Sequence, residues 1–315
     1  MSNQDGARRA RGVARRGADG LVKLTSRGVA PHYPAPARGK RRSARPEELA
    51  MRGRQFRDIL PVLAAVAFAY LGGTATSVGD EPRDTDYLYP AKEVDPAALK
   101  SGDRVLVTEH AGYWSFAPAK GASSTALLFF PGGGVDPTAY APLARAVAAE
   151  GYPVHLVKLS GKPAAPDEHR RTAVARGKAV VKAEPGVKRW VVGGHSMGGA
   201  IAARFAHEAP GQFRGLALVA TTHPRDFDLS SFAGDVTKVY GTEDRVAKQA
   251  QSEANKKLLP AKTTWVRVEG GNHAQFGHYG AQPGDGKATV SRAEQQRLTS
   301  EALAEALRRA SKLPE

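Results

Sequence analysis

From about residue 100 onward, short and almost fully apolar segments alternate with stretches that we interpret as helices. Eight segments are predicted strands: Val105–Thr108, Tyr113–Phe116, Thr125–Phe130, Val154–Leu159, Trp190–Val192, Leu216–Ala220, Lys238–Gly241 and Thr264–Glu269. Four stretches are predicted helices: Pro142–Glu150, His169–Lys182, Ala200–Glu208 and Ser291–Leu313. Strands that are apolar along their whole length are typical of a parallel sheet covered on both faces. The alternation therefore predicts an α/β fold with a mostly parallel central sheet and helices on both faces.

An uncharged stretch precedes this region, between Asp58 and Asp80. We interpret residues 59–77 as a signal anchor or as the h-region of a signal peptide. Basic residues lie before this segment and few follow it, which predicts an N-terminus inside and a C-terminus outside the membrane. The domain that follows is then expected to be extracytoplasmic, either membrane-anchored or secreted. The alternative is a buried helix of the soluble domain.

The net charge of +15 is concentrated near the N-terminus. Residues 1–58 carry a net charge of +10, and the rest of the chain carries +5. Because residues 1–58 show no hydrophobic periodicity, we interpret them as a basic disordered tail. Such a tail would be attracted to an anionic membrane or to nucleic acid. The alternatives are a tail that is only solvated, or residues upstream of a true start at Met51. Since the excess charge lies outside the folded region, nucleic-acid binding is not the expected function.

The chain contains no cysteine. This excludes disulfides, thiolate catalysis, Cys-ligated zinc and iron–sulfur clusters. The histidines lack the spacing of a zinc site as well. We therefore expect neither a metal ion nor an organic cofactor.

The strongest chemical motif is Gly194-His195-Ser196-Met197-Gly198, which follows an apolar strand and precedes a helix. A G-x-S-x-G sequence in this context predicts a nucleophile elbow, a sharp turn that presents the serine at its tip. The serine hydroxyl then lies beside a helix N-terminus, which favours developing negative charge. The alternative is a tight turn with a capping serine, and His195 is expected to be structural.

A glycine-rich loop, residues 131–134, follows another apolar strand. Acyl transfer needs two amide donors directed at the oxyanion. We predict that the amides of Met197 and Gly133 supply them. The alternative is that this glycine loop is only a flexible turn.

An acid and a histidine follow the serine in the chain. Asp244 comes just after a predicted strand, and His273 lies in a Gly-rich loop after the next one. The order Ser196, Asp244, His273 is that of the α/β-hydrolases. His273 would accept the serine proton, and Asp244 would hold its tautomer. Three other carboxylates are rivals for the acid: Asp226, Asp228 and Glu243.

The chain resembles the α/β-hydrolases, and within them the compact dienelactone-hydrolase-like group. Four stretches carry the resemblance: Phe130–Ala144, Gly193–Gly199, Tyr240–Asp244 and Gly270–Gly280. The resemblance implies a catalytic domain over residues 85–315 without a large cap domain. Because dienelactone hydrolases proper use a cysteine where this chain has Ser196, their substrate is not carried over.

The expected function is a serine hydrolase that forms an acyl-enzyme from a small-molecule carboxylic ester or related acyl compound. Two alternatives are an acyltransferase that uses the same acyl-enzyme and a non-catalytic binding protein with this fold. The connection 221–236 is too short to form a lid domain. We therefore predict a preference for short or compact polar esters, with Gln275, Phe276 and Tyr279 as the pocket wall.

Overall fold

The computed structural model of the protein describes residues 87–161 and 166–314. The predicted basic tail, residues 1–58, and the predicted membrane segment, residues 59–77, lie outside the described residues. Among the described helices, none combines the length and the apolar character needed to cross a membrane.

Eight strands form one sheet in the order β1-β2-β4-β3-β5-β6-β7-β8. Their bounds are β1 Val105–Glu109, β2 Tyr113–Pro118, β3 Thr125–Phe130, β4 Val154–Val157, β5 Arg189–His195, β6 Phe213–Val219, β7 Asp235–Gly241 and β8 Thr264–Val268. β1 and β2 are antiparallel to their neighbours, and the other six strands are parallel to one another. The predicted α/β fold with a mostly parallel sheet is confirmed.

Four α-helices lie between these strands, α1 Ala141–Ala149, α2 Pro166–Ala183, α3 Met197–Glu208 and α4 Gln249–Ala254, and a fifth, α5 Arg292–Ala310, follows the last strand. Short 3₁₀ turns occupy Pro96–Leu99, Pro137–Tyr140, Lys256–Leu258 and Ala274–Phe276. Sequence analysis did not predict α4 or these turns, since each is too short to show a hydrophobic period.

The core has two halves, one on each face of the sheet. On one face, α1 and α5 bury Leu143, Val147 and Leu303 against the strands. On the other face, α2 and α3 bury side chains such as Val174 and Phe205. Because both faces are covered, the central strands β3 to β6 are buried almost completely along their length.

The connection between β6 and β7 is short and is held against the body of the protein. The Leu229 side chain is buried, and its N–H donates a 2.9 Å hydrogen bond to the carbonyl of Leu258. No helix or strand is inserted in residues 220–234. This part of the chain therefore carries no cap domain, as predicted.

Candidate active site

Ser196 lies at the tip of the turn between β5 and α3. Its backbone angles are φ 54° and ψ −117°, a strained conformation for a residue with a side chain. The Ser196 N–H donates a 2.9 Å hydrogen bond to the carbonyl of Val219, which holds the turn in place. The serine is partly exposed. The structure thus presents this hydroxyl at the edge of the sheet, as an elbow requires.

Two glycines allow this turn for steric reasons. A Cβ added to Gly194 would lie 2.4 Å from the carbonyl carbon of Gly198. A Cβ added to Gly198 would lie 2.1 Å from the carbonyl oxygen of Phe130. Neither distance is possible for a real side chain, so the glycines of the elbow (residues 194–198) are needed for the close approach of strand, turn and helix.

Asp244 and His273 form a buried pair. The distance between Asp244 Oδ2 and His273 Nδ1 is 2.8 Å, and both side chains are almost completely excluded from solvent. The other carboxylate oxygen, Oδ1, accepts hydrogen bonds from the amides of Val246 and Ala247 at 2.9 and 2.7 Å. A carboxylate that accepts from Nδ1 leaves the lone pair of the neutral imidazole on Nε2. The carboxylate therefore fixes the tautomer that a general base needs.

Nε2 of His273 is buried and makes no hydrogen bond within the described part of the chain. The Ser196 hydroxyl therefore makes no hydrogen bond to this nitrogen in the structure. Catalytic hydrogen bonds are often long before a substrate binds and tighten only in the complex. What the structure brings together directly is the acid and the histidine.

The rival acids lie in other environments. Asp226 forms an ion pair of 3.2 Å with Arg204 on α3. Asp228 is exposed and accepts a 2.7 Å hydrogen bond from the amide of Ser230. Glu243 is half-buried, and its side chain makes no hydrogen bond to His273. Among these carboxylates, only Asp244 is paired with the histidine.

The backbone around His273 is held by two polar side chains that sequence analysis missed. Asp285 accepts hydrogen bonds from the amides of His273 and Ala274 at 3.1 and 2.9 Å. Gln295, fully buried on α5, accepts from the Asn272 amide at 3.1 Å and donates to the Asn272 carbonyl at 2.7 Å. Neither residue belongs to a recognisable motif, so only its contacts reveal its role.

The glycine loop lies directly beside the elbow. A Cβ added to Gly133 would lie 2.4 Å from Cε of Met197, so the methionine side chain rests on this glycine. The loop turn is closed by the Val135 amide, which donates to the Gly132 carbonyl at 3.2 Å. Met197 is the first residue of α3, where helix N–H groups lack intrahelical acceptors. The structure therefore brings the two predicted oxyanion residues together.

A buried hydrogen-bond chain joins the glycine loop to the elbow. The Gly132 amide donates to the Tyr140 hydroxyl at 3.0 Å, and that hydroxyl lies 2.7 Å from Nδ1 of His195. Burial raises the pKa of Tyr140, so its hydroxyl stays protonated. Burial, and then the neighbouring His273, lower the pKa of His195 well below its ordinary value. The tyrosine hydroxyl thus donates to a neutral His195, whose ring proton is on Nε2.

The three residues predicted to form the pocket wall are largely used by the fold itself. Phe276 is fully buried in the core, and Tyr279 is 4% exposed. The Gln275 side-chain amide donates to the Val290 carbonyl at 3.1 Å. Phe276 and Tyr279 therefore pack in the interior beneath the loop after His273, whereas Gln275 is half-buried. Their role as a pocket wall stays a prediction.

Within the described residues, no group of three or more His, Asp or Glu side chains is arranged to hold a metal ion. The histidines at this site face aromatic rings instead. His195 lies between His273 and Tyr140, with ring centroids 4.5 and 5.8 Å away. The buried carboxylate–imidazole pair is an arrangement that can accept a proton at Nε2.

Comparison with known proteins agrees with this fold. A model of the alpha/beta hydrolase family matches residues 126–297. No curated protein sequence matches the chain significantly.

Solved structures with similar backbones include a predicted CIB-like hydrolase from Thermoplasma acidophilum. It is 16% identical, with a TM-score of 0.47, and the match covers 64% of this chain and 99% of that one. Another is the esterase domain of a Rhodothermus marinus protein. It is 14% identical, with a TM-score of 0.47, and the match covers 65% of this chain and 98% of that one. At these identities the likeness concerns the backbone and says nothing of a substrate.

Proposed function

The chain belongs to the alpha/beta hydrolase family, and on that premise we propose that it is a serine hydrolase that cleaves a carboxylic ester or a related acyl bond. The buried Asp244–His273 pair carries this proposal, because its unpaired Nε2 is a base placed in the same site as a strained, accessible serine. The resemblance to the dienelactone-hydrolase-like group within the family stays a prediction.

In the proposed reaction, the Ser196 oxygen attacks the carbonyl carbon of the ester while its proton passes to Nε2 of His273. The carbonyl oxygen becomes an oxyanion, which the amides of Gly133 and Met197 stabilise. The bond to the alcohol oxygen then breaks, and the alcohol leaves with the proton from His273. Water repeats the sequence on the acyl-enzyme and releases the acid. Asp244 stabilises the imidazolium that forms twice in this cycle.

A fluorophosphonate probe tests the proposal, because it phosphonylates a serine whose hydroxyl is activated by a neighbouring base. We expect labelling of the wild type and loss of both labelling and ester turnover in Ser196→Ala. Ser300→Ala, which removes a hydroxyl from the exposed side of α5, should label like the wild type. Labelling that survives in Ser196→Ala would refute the assignment of the nucleophile.

Acyl transfer to an alcohol remains the second candidate. The same acyl-enzyme serves both reactions, so the two differ only in what attacks it. Adding a small alcohol to the assay and measuring the ratio of new ester to free acid separates them. If the ratio rises with the alcohol concentration, well above the ratio formed without enzyme, the result favours acyl transfer. Release of acid alone favours hydrolysis.

A further inference from the structure

Large apolar side chains in the described part of the chain are mostly buried, but four are exposed. They are Leu88, Leu106, Met197 and Val246, with exposed fractions of 56%, 48%, 45% and 36%. Single apolar residues on a surface are ordinary. Three of these four, however, adjoin residues of the proposed active site, and only Leu106 on the edge strand β1 does not.

Leu88 belongs to residues 87–94, a segment that we call the strap and that pairs with the glycine loop. Tyr89 pairs with Val135 in a parallel bridge: its amide donates to the Gly134 carbonyl at 2.9 Å, and its carbonyl accepts from the Asp136 amide at 3.0 Å. A Cβ added to Gly134 would lie 3.0 Å from the Cβ of Leu88. The leucine therefore lies on the glycine loop.

Met197 lies on the neighbouring glycine of the same loop. A Cβ added to Gly133 would lie 3.1 Å from its sulfur and closer still to its terminal methyl group. Val246 is on the acid side of the site, where its amide donates to Asp244 Oδ1. Val246 is exposed, and this bond holds its backbone beside the acid. Each of these three exposed residues is thus in contact with a residue of the proposed site, Leu88 and Met197 with the glycine loop and Val246 with Asp244.

We propose that Leu88, Met197 and Val246 form an apolar rim that binds the apolar chain of the acyl group. This inference rests on the proposed function. Since Leu88 and Met197 lie on Gly134 and Gly133, an acyl group whose carbonyl oxygen is held by the glycine loop meets these side chains first. The rim differs from the polar pocket wall expected from the sequence, and it assigns substrate selection to residues outside the loop after His273.

The rim also defines the class of substrate. Apolar contact favours a short hydrocarbon acyl chain over a polar chain of equal length, by roughly fourfold for each methylene fully removed from water. Because the rim side chains remain open to solvent on their outer side, a long chain gains little beyond the first few carbons. The expected substrates are therefore esters of short, unsubstituted fatty acids.

The experiment compares kcat/KM for p-nitrophenyl acetate and p-nitrophenyl hexanoate on each purified full-length variant. The ratio of the two values does not depend on the fraction of folded enzyme, so a partly unstable variant still gives a valid result. Leu88→Ser and Val246→Ser should each lower the hexanoate-to-acetate ratio by roughly fourfold or more. The matched control Leu106→Ser should keep the wild-type ratio.

Met197 is tested with two variants, because its amide is also a proposed oxyanion donor. Met197→Leu keeps an apolar side chain and should retain the ratio, whereas Met197→Gln should lower it. Equal ratios for Leu88→Ser and Leu106→Ser would overturn the rim. The rim would also be overturned if the wild type preferred a hexanoate analogue with an ether oxygen in its chain. The same holds if kcat/KM depended on the length of the alcohol and not on the length of the acyl chain.

The rim and the proposed function fail in different ways. An enzyme that reacts with fluorophosphonate at Ser196 but treats acetate and hexanoate esters alike overturns only the rim. An enzyme with neither labelling nor turnover of any ester overturns the hydrolase proposal and the rim with it.

Discussion

The Tyr140 hydroxyl lies 2.7 Å from Nδ1 of His195 and accepts the amide proton of Gly132. One phenol therefore connects the loop proposed to bind the oxyanion with the turn that carries Ser196. Both partners are buried, which strengthens the bond and makes its loss costly.

Tyr140→Phe removes only this hydroxyl. The Gly132 amide and His195 Nδ1 then lose their partner, and we expect the free energy of unfolding to fall by about 1–3 kcal/mol. We also expect a lower kcat with a smaller change in KM, since misplaced oxyanion donors act mainly on the transition state. Steady-state kinetics and urea denaturation measure the two effects.

Tyr113→Phe is the control for this variant. It removes a hydroxyl that donates a 2.6 Å hydrogen bond to Glu184, away from the proposed site. It should affect stability but leave kcat near the wild-type value. If both variants reduce kcat equally, the Tyr140 hydroxyl has no specific role in positioning the glycine loop.

Asp244→Asn tests the acid. The asparagine oxygen can still accept from the amides of Val246 and Ala247, so the fold should persist. Its NH₂ group, however, opposes the N–H on Nδ1 of His273 and favours the wrong tautomer. We expect kcat to fall by roughly four orders of magnitude, as for other triad aspartates. Asp226→Asn and Asp228→Asn should have much smaller effects, and a reversed order of effects would assign the acid elsewhere.

His155 makes the stability depend on pH. It is buried in β4 beside the ring of Trp190, and burial lowers its pKa to about 4, although Glu184 at 3.6 Å opposes the shift. In the unfolded chain the pKa is about 6.5. Between these values the unfolded chain binds a proton that the folded chain does not. The contribution of His155 to the free energy of unfolding is therefore fully present above about pH 6.5 and decreases as the pH falls toward 4.

The variant His155→Phe should reduce this pH dependence. In the wild type, His155 lowers the free energy of unfolding by about 2–3 kcal/mol between pH 7 and pH 4.5, and the variant should lack this decrease. Urea denaturation at the two pH values measures it. Burial lowers the pKa of His223 to about 4 as well, so some pH dependence should remain. Identical slopes for both proteins would show that His155 titrates normally in the folded state.

Export is tested with a reporter. The basic residues before residue 59 and the apolar segment 59–77 predict that whatever follows crosses the membrane. An enzyme that is active only outside the cytoplasm, fused after residue 80, should give a signal. Replacing Leu63 and Val66 with arginine should abolish it, because the segment is then too polar to insert. A cytoplasmic signal from a full-length fusion would contradict the prediction.

The sequence predicted the existence of all eight strands, most clearly the central parallel ones, because buried parallel strands are apolar along their whole length. It did not predict their order in the sheet. It misplaced the ends near Ser196. The helix predicted from Ala200 begins at Met197, and the strand predicted to end at Val192 continues to His195. Gly193, Gly194, Gly198 and Gly199 lie in these missing parts. Glycine forms helices and strands poorly, so these residues predicted interruptions. Here the close approach of strand, turn and helix leaves no room for a Cβ, and the elements continue through the glycines.

The acid–histidine pair was predictable because each residue follows a strand at the same edge of the sheet. The residues that position this pair were not. Asp285 and Gln295 contact the His273 loop from distant parts of the chain, and Tyr140 reaches His195 across 55 positions. Leu88, which lies on the glycine loop, precedes the first strand, where nothing in the sequence pattern predicts this contact. Such contacts depend on tertiary packing, which a single sequence does not display.

The strap determines how far the chain can be shortened from its N-terminal side. All strands and α-helices of the described domain lie between Val105 and Ala310, so a chain starting near residue 100 keeps every one of them. It would lose the bonds from the Tyr89 amide to the carbonyl of Gly134 and from the Lys92 amide to the carbonyl of His278, which hold the glycine loop and the loop after His273. We therefore expect a chain that starts near residue 100 to keep the sheet and its α-helices but to lose ester turnover.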